Sequence, residues 1–162
     1  MGDPKKLRRK YSRPPHLWKR DRIAEETELS TRYGLKNMKE VWKVKSMLSN
    51  FRKEARSLLA VTVEEKGKNE LLSSIRKWGI DVKTLEDVLA LKVDDLFDRR
   101  LQSVVHKKGL ATTVKQARQY IIHGHVIIDE KVVDVPSYLV LKDEEDKIRL
   151  NARVVKVEEN KK

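Results

Sequence analysis

RRLQSVVHKKGLATTVKQARQYIIHGHVIIDEKVVDVPSY, residues 99–138, decides the fold. Its apolar residues first recur at helical spacing and then gather into short extended runs. The pattern predicts a helix beginning near Val93, with Phe97, Leu101, Val104 and Val105 buried and Arg100, Ser103 and Lys107 on a different face. Gly109 stops it. Thr113 and Gln116 form a T-x-x-Q capping box for a second helix. There Val114, Ala117 and Ile121 point inward, while Lys115, Arg118 and Gln119 share an outer face. Gly124 ends that helix. Val126 to Ile128 make a strand, Asp129-Glu130 a turn and Lys131 to Val135 the return, closed by Pro136.

Outward from this segment the chain reads as helices. Residues 17–33 form a polar helix ended by Gly34. Asn37 and Glu40 resemble a capping box. Behind them Val41, Val44, Leu48, Phe51, Ala55, Leu58 and Leu59 keep helical spacing and belong to a core. The same helix carries Lys43, Lys45, Arg52, Lys53 and Arg56, a basic face turned either to solvent or to a partner. A further helix covers Asn69 to Trp78, with Gly79 as its stop. Thr84 opens a short one, with Asp87 as its capping partner. The acidic groups Glu64-Glu65 and Asp143 to Asp146 fall in turn-like settings open to water.

Charge says what kind of partner to expect. Among 162 residues, 37 are Lys or Arg and 25 Asp or Glu, a formal net charge of +12. The balance is +10 over residues 1–60, −3 over 61–98, +5 over 99–142 and zero over 143–162. Two basic blocks flanking an acidic connector point to a polyanion gripped twice rather than to uniform solubilising charge. Residues 1–16, rich in Lys, Arg and Pro, read either as a solvated tail or as an arm that orders on phosphate. Tyr11 and His16 add planar groups there.

Other chemistries find little support. There is no cysteine, which excludes disulfides, thiolate zinc sites and thiol nucleophiles. No run approaches the ~18 apolar residues of a membrane span, and the basic N-terminus lacks the apolar stretch of a secretory signal. Phosphate-binding glycine loops and hydrolase motifs are missing. His123 and His125 straddle a helix-ending glycine with no third ligand converging. Metal, plain surface and RNA contact stay open for them, metal being the weakest. Arg and Lys neutralise phosphates, and imidazole or amide groups hydrogen-bond 2′-hydroxyls, so structured RNA suits the segment.

The run from Leu89 to Val140 resembles the RNA-binding module of the S-four family of small-subunit ribosomal proteins. Its hallmarks are Arg99-Arg100-Leu101, Lys108-Gly109-Leu110-Ala111, Ala117-Arg118, His123-Gly124-His125-Val126 and Val135-Pro136-Ser137-Tyr138. MGDPKKLRRKY, PHLWKRDR and YGLKNMKEVWKVKSMLSNFRKEAR resemble the archaeal and eukaryotic branch of that family, extending the likeness over residues 1–150. Two places depart from it: Asp-Glu-Lys replaces the usual Asn-Gly-Lys hairpin turn, and Asp143 to Asp146 replaces a Gly-Asp turn.

The resemblance implies an α+β protein with a basic arm (1–16), a helical rRNA-binding region (17–98), the module itself (99–150) and a tail (151–162). It implies a non-enzymatic, cytoplasmic constituent of the small ribosomal subunit, with no cofactor, metal or membrane. Such a protein binds small-subunit rRNA early, organises a multi-helix junction during assembly and sits near the channel by which mRNA enters. Its partners are rRNA, neighbouring ribosomal proteins and, at that channel, mRNA. A rival is a stand-alone assembly factor that visits the ribosome; an RNA-modifying enzyme lacks room for a catalytic domain. The RNA-facing residues implied in the module are Arg99, Arg100, Lys107, Lys115, Gln116, Arg118, His123, His125 and Lys131. Outside it, Arg8, Arg9, Lys10, Arg13, Lys19, Arg20, Arg52, Lys53 and Arg56 are expected to join them.

Overall fold

The apolar repeat behind Asn37 produces the helix against which much of the N-terminal half packs. The computed structural model describes residues 10–60 and 65–151. The chain runs α1 (Arg20–Arg32), α2 (Met38–Ala60), α3 (Glu65–Lys77), α4 (Leu85–Ala90), α5 (Val93–Asp98), α6 (Leu101–Lys107) and α7 (Val114–Ile122). It continues through β1 (Val126–Ile128), β2 (Lys131–Val132), α8 (Lys142–Glu145) and β3 (Ile148–Leu150). The strands form one antiparallel sheet in the order β2-β1-β3, with Ile127 opposite Val132 on one side and Arg149 on the other. The architecture is α+β, as the sequence indicates. No helix among the described residues is long and apolar enough to cross a membrane.

Each half has its own core. Leu48 and Ala55 of α2 meet Leu71, Leu72 and Ile75 of α3 and Leu85 and Val88 of α4. In the module, Leu101, Val104 and Val105 of α6 pack with Ala117 and Ile121 of α7, Val126 and Ile128 of β1, Val140 and Ile148. Burial of each such side chain is worth roughly 1.5–3 kcal/mol. A small third cluster of Tyr33, Val41 and Phe97 lies at the join, where the Tyr33 and Phe97 rings stack at 4.8 Å. Trp78 packs on Phe51 at 5.5 Å. Leu59 is 45% exposed and falls outside the stripe expected to hold it.

Several boundaries differ from expectation, each for a local reason. The helix expected from Val93 is two helices, broken at Arg99-Arg100. There Leu101 N donates to Tyr138 O (2.8 Å) and Val140 N to Arg99 O (3.0 Å), and Arg100 bridges Leu139 in antiparallel fashion. A crossing segment thus takes backbone groups that a continuous helix would use. α1 begins at Arg20 because Leu17 and Trp18 form a turn, with the His16 and Leu17 carbonyls taken by the Arg22 guanidinium. α3 starts at Glu65, before Asn69. The hairpin return stops at Val132, and Asp129 adopts the left-handed conformation of its turn (φ 59°), which a short polar side chain tolerates.

The Asp143–Asp146 stretch is not an open loop. It forms α8, where Glu144 accepts from Tyr138 Oη (2.9 Å) and Leu141 N (3.2 Å). Glu145 binds Arg99. Part of this acidic stretch is therefore consumed inside the module.

Candidate RNA-binding surface

The arginines most characteristic of the module do not lie on its outside. Arg100 is 2% exposed; its Nη2 donates to Glu40 Oε2 at 2.6 Å, and its guanidinium stands 5.5 Å from the Phe97 ring centre. Arg118 reaches the same carboxylate, Nη2 to Oε1 at 2.8 Å, and Gln102 Oε1 through Nη1 at 3.3 Å. Burial alone would raise the Glu40 carboxyl, but hydrogen bonds and charge from Arg118 and Arg100 hold it below its ordinary 4.5. Glu40 is thus the acid that ties α2 to the module. The capping box expected of it is replaced by this pair, and only a long contact from Lys36 N (3.4 Å) remains.

Gln102 closes the same join. Its Nε2 lies within hydrogen-bonding distance of Tyr33 O (3.2 Å), Gly34 O (3.2 Å) and Val114 O (3.0 Å). Gly34 is in the left-handed region (φ 56°), and a Cβ there would meet Gln102 Nε2 at 3.2 Å and Val114 Cγ1 at 3.3 Å. Neither Glu40 nor Gln102 was among the expected site residues. Gln102 could have been found as one of two polar residues, with Ser103, set between Leu101 and Val104 in an apolar stripe.

Two more arginines have internal work. Arg99 Nη1 donates to Glu145 (2.7 Å), and a Cβ at Gly79 would meet its guanidinium at 3.0 Å. Arg52 Nη2 donates to Leu91 O, tying α2 to the end of α4. The expectation that Arg100 and Ser103 share an outward face is corrected by burial: Ser103 is 6% exposed. Gln116 is half-buried. Thr113 Oγ1 accepts from Gln116 N (3.2 Å), but Gln116 Oε1 takes Thr112 N (2.9 Å) and its Nε2 donates to Tyr120 (2.6 Å). The cap is real, with its second arm displaced by one residue.

What faces outward is mostly lysine. Lys107, Lys115 and Lys131 of the module are exposed, as is His123, while His125 is half-buried. Lys107 binds Asp98 at 2.9 Å yet keeps 56% of its side chain exposed. In the N-terminal half Lys10, Arg13, Lys19, Arg20, Lys53 and Arg56 are exposed. Arg8 and Arg9 lie outside the described residues. The rings of His123 and His125 stack at 6.1 Å, with Tyr120 edge-on to His125 at 6.2 Å. No group of three His or acidic residues able to hold a metal occurs among the described residues.

Where the halves meet, a groove of about 520 Å³ opens. Lys39 and Lys43 give it positive charge, Glu40 in its wall is matched by Arg100 and Arg118, Asn37 and Ser137 give it hydrogen-bonding groups, and Tyr11 gives it a ring. Part of the basic arm is already seated beside it. Ser12 N donates to Ser46 Oγ (2.9 Å), and the Tyr11 ring lies 5.9 Å from Trp42. Tyr11 and Ser12 of the arm thus lie against α2, while Lys10 and Arg13 stay exposed.

Residues 99–148 match the S4 domain family. Beyond that module, the chain is 51% identical over 152 residues to small ribosomal subunit protein uS4 of Methanothermobacter thermautotrophicus, covering 91% of this chain and 89% of that protein. This chain belongs to the uS4 family. Other uS4 relatives include that of Hyperthermus butylicus, 47% identical over 90% of this chain and 85% of its own. That of Methanococcus aeolicus is 46% identical over 91% and 86%. These uS4 proteins come from archaea, the branch that the sequence resembles.

Proposed function

We propose that this uS4 chain is a structural constituent of the small ribosomal subunit that binds its rRNA directly and catalyses nothing. The observation that carries this reading is the division of its cations. Arg99, Arg100 and Arg118 are ion-paired, and the last two lock the module to α2. Lys39, Lys43, Lys53, Lys107, Lys115 and Lys131 stay exposed on both halves. The locked arginines fix the distance and angle between two basic surfaces, and the exposed lysines neutralise phosphates. A rigid body with two such surfaces suits a junction where several RNA helices meet, because shape and phosphate position identify A-form RNA.

The finer reading extends what the family resemblance implies to this chain. The chain binds early in assembly, holds a multi-helix junction together, and works in the cytoplasm next to other small-subunit proteins. A place near the channel by which mRNA enters would put mRNA within reach of its exposed basic surface. Hydroxyl-radical footprinting of naked small-subunit rRNA with the full chain tests the direct contact; protection should cluster around one junction. Sedimentation in high salt tests permanence. The chain should remain with small subunits in stoichiometric amount, whereas release into the supernatant would identify a visiting factor instead.

A further inference from the structure

Trp18 is 90% exposed, more than any other large apolar side chain among the described residues, and Leu17 beside it is 54% exposed. The other two tryptophans are packed. Trp42 donates its indole N–H to Glu26 (3.1 Å), and Trp78 lies on Phe51. An indole left in water forgoes the gain that burying so large a ring brings, and the described fold leaves it uncovered.

The turn that carries Trp18 is not loose. Arg22 Nη2 donates to Leu17 O (2.7 Å) and His16 O (3.3 Å), while its Nη1 binds Glu26 (2.7 Å). Glu26 is 2% exposed and also accepts from Lys45 on α2 (2.9 Å). A buried carboxylate therefore bolts the backbone of the turn that carries the ring to the helical body. A turn whose backbone is ordered before binding loses little freedom when it binds.

Charge identifies the partner. Residues 10–20 contain Lys10, Arg13, Lys19 and Arg20 and no Asp or Glu, and all four cations are exposed. An apolar protein pocket would have to strip water from these cations to reach the indole. A nucleotide offers a flat face to the ring and phosphates to its neighbours. We propose that Trp18 is a stacking platform for an unpaired RNA base, with Lys19, Arg20 and Arg13 holding the phosphates on either side. The proposal rests on the rRNA-binding reading above and adds the residue and the single-stranded element that it grips.

The test is a titration of the full chain with small-subunit rRNA transcribed in vitro, reading affinity by filter binding and indole emission in parallel. Binding should quench the emission that distinguishes the native chain from Trp18→Phe. Trp18→Ala should weaken binding about 5- to 150-fold, and Trp18→Phe should recover most of the loss. The log–log salt slope should stay the same in both, because no charge is removed. Circular dichroism and melting should match the native chain, since the ring is exposed.

Native binding without quenching of Trp18, or unchanged affinity in Trp18→Ala, would overturn the proposal and leave the RNA reading standing. A Trp18→Ala defect confined to assembled subunits, with full affinity for naked rRNA, would assign the ring to a protein neighbour and overturn it as well. No binding of the native chain to naked rRNA would overturn both readings.

Discussion

At Glu40 one carboxylate accepts from two guanidiniums, one of them buried, so neutralising it strands Arg100 without its counter-charge. Glu40→Gln should destabilise the protein by roughly 3–5 kcal/mol in urea unfolding, the cost of breaking a buried pair from one side. A loss under about 1 kcal/mol would mean that the pair is solvated or dispensable. The same contacts set the acid limb of stability. Glu40 and Glu26 both titrate below 4.5 in the folded protein, for Glu26 because hydrogen bonds from Lys45, Trp42 and Arg22 outweigh its burial. Their stabilisation is complete above that unfolded value and is lost as pH falls through the lower folded values. Thermal melts should therefore drop steeply below pH 4.5, and the drop should be shallower in Glu40→Gln. Gly34→Ala should cost about 1 kcal/mol or more, because a Cβ at φ 56° is strained and crowds Gln102.

Elements were legible where local signals act alone and illegible where distant segments compete. The Thr84 capping box forms as spaced, with Thr84 N to Asp87 Oδ2 at 2.8 Å and Asp87 N to Thr84 Oγ1 at 3.3 Å. The α7 helix keeps its Thr113 cap, and Thr113→Ala should lower stability by about 1 kcal/mol in the same unfolding assay. The break between α5 and α6 was illegible because no residue there disfavours helix. It arises from Tyr138 and Val140, whose backbone groups reach across from a segment far along the chain. The partners of Arg99 and Arg100 were hidden for the same reason. Sequence spacing puts a cation on a helix face, but it does not reveal that Glu145 and Glu40 arrive from other elements to cover it. Lys115, by contrast, is exposed on the outer face that its helical spacing predicts.

For the molecule as a whole, two small cores joined by ion pairs make a single rigid presenter of positive charge. Removal of an internal arginine and of an external lysine should then have different signatures. Arg100→Ala should lower the melting temperature, while the salt slope of the folded fraction hardly changes. Lys115→Ala and Lys131→Ala should leave melting intact and act on RNA alone. If the exposed lysines, rather than the ion-paired arginines, neutralise the phosphates, salt dependence must follow the lysines. The most direct measurement is the dependence of rRNA affinity on salt for the native chain and for the Lys115→Ala, Lys131→Ala double variant. The log–log slope should be shallower by about 0.7–0.9 for each phosphate no longer neutralised, with an unchanged melting curve. An identical slope and affinity in the double variant, or native binding that ignores salt, would contradict it.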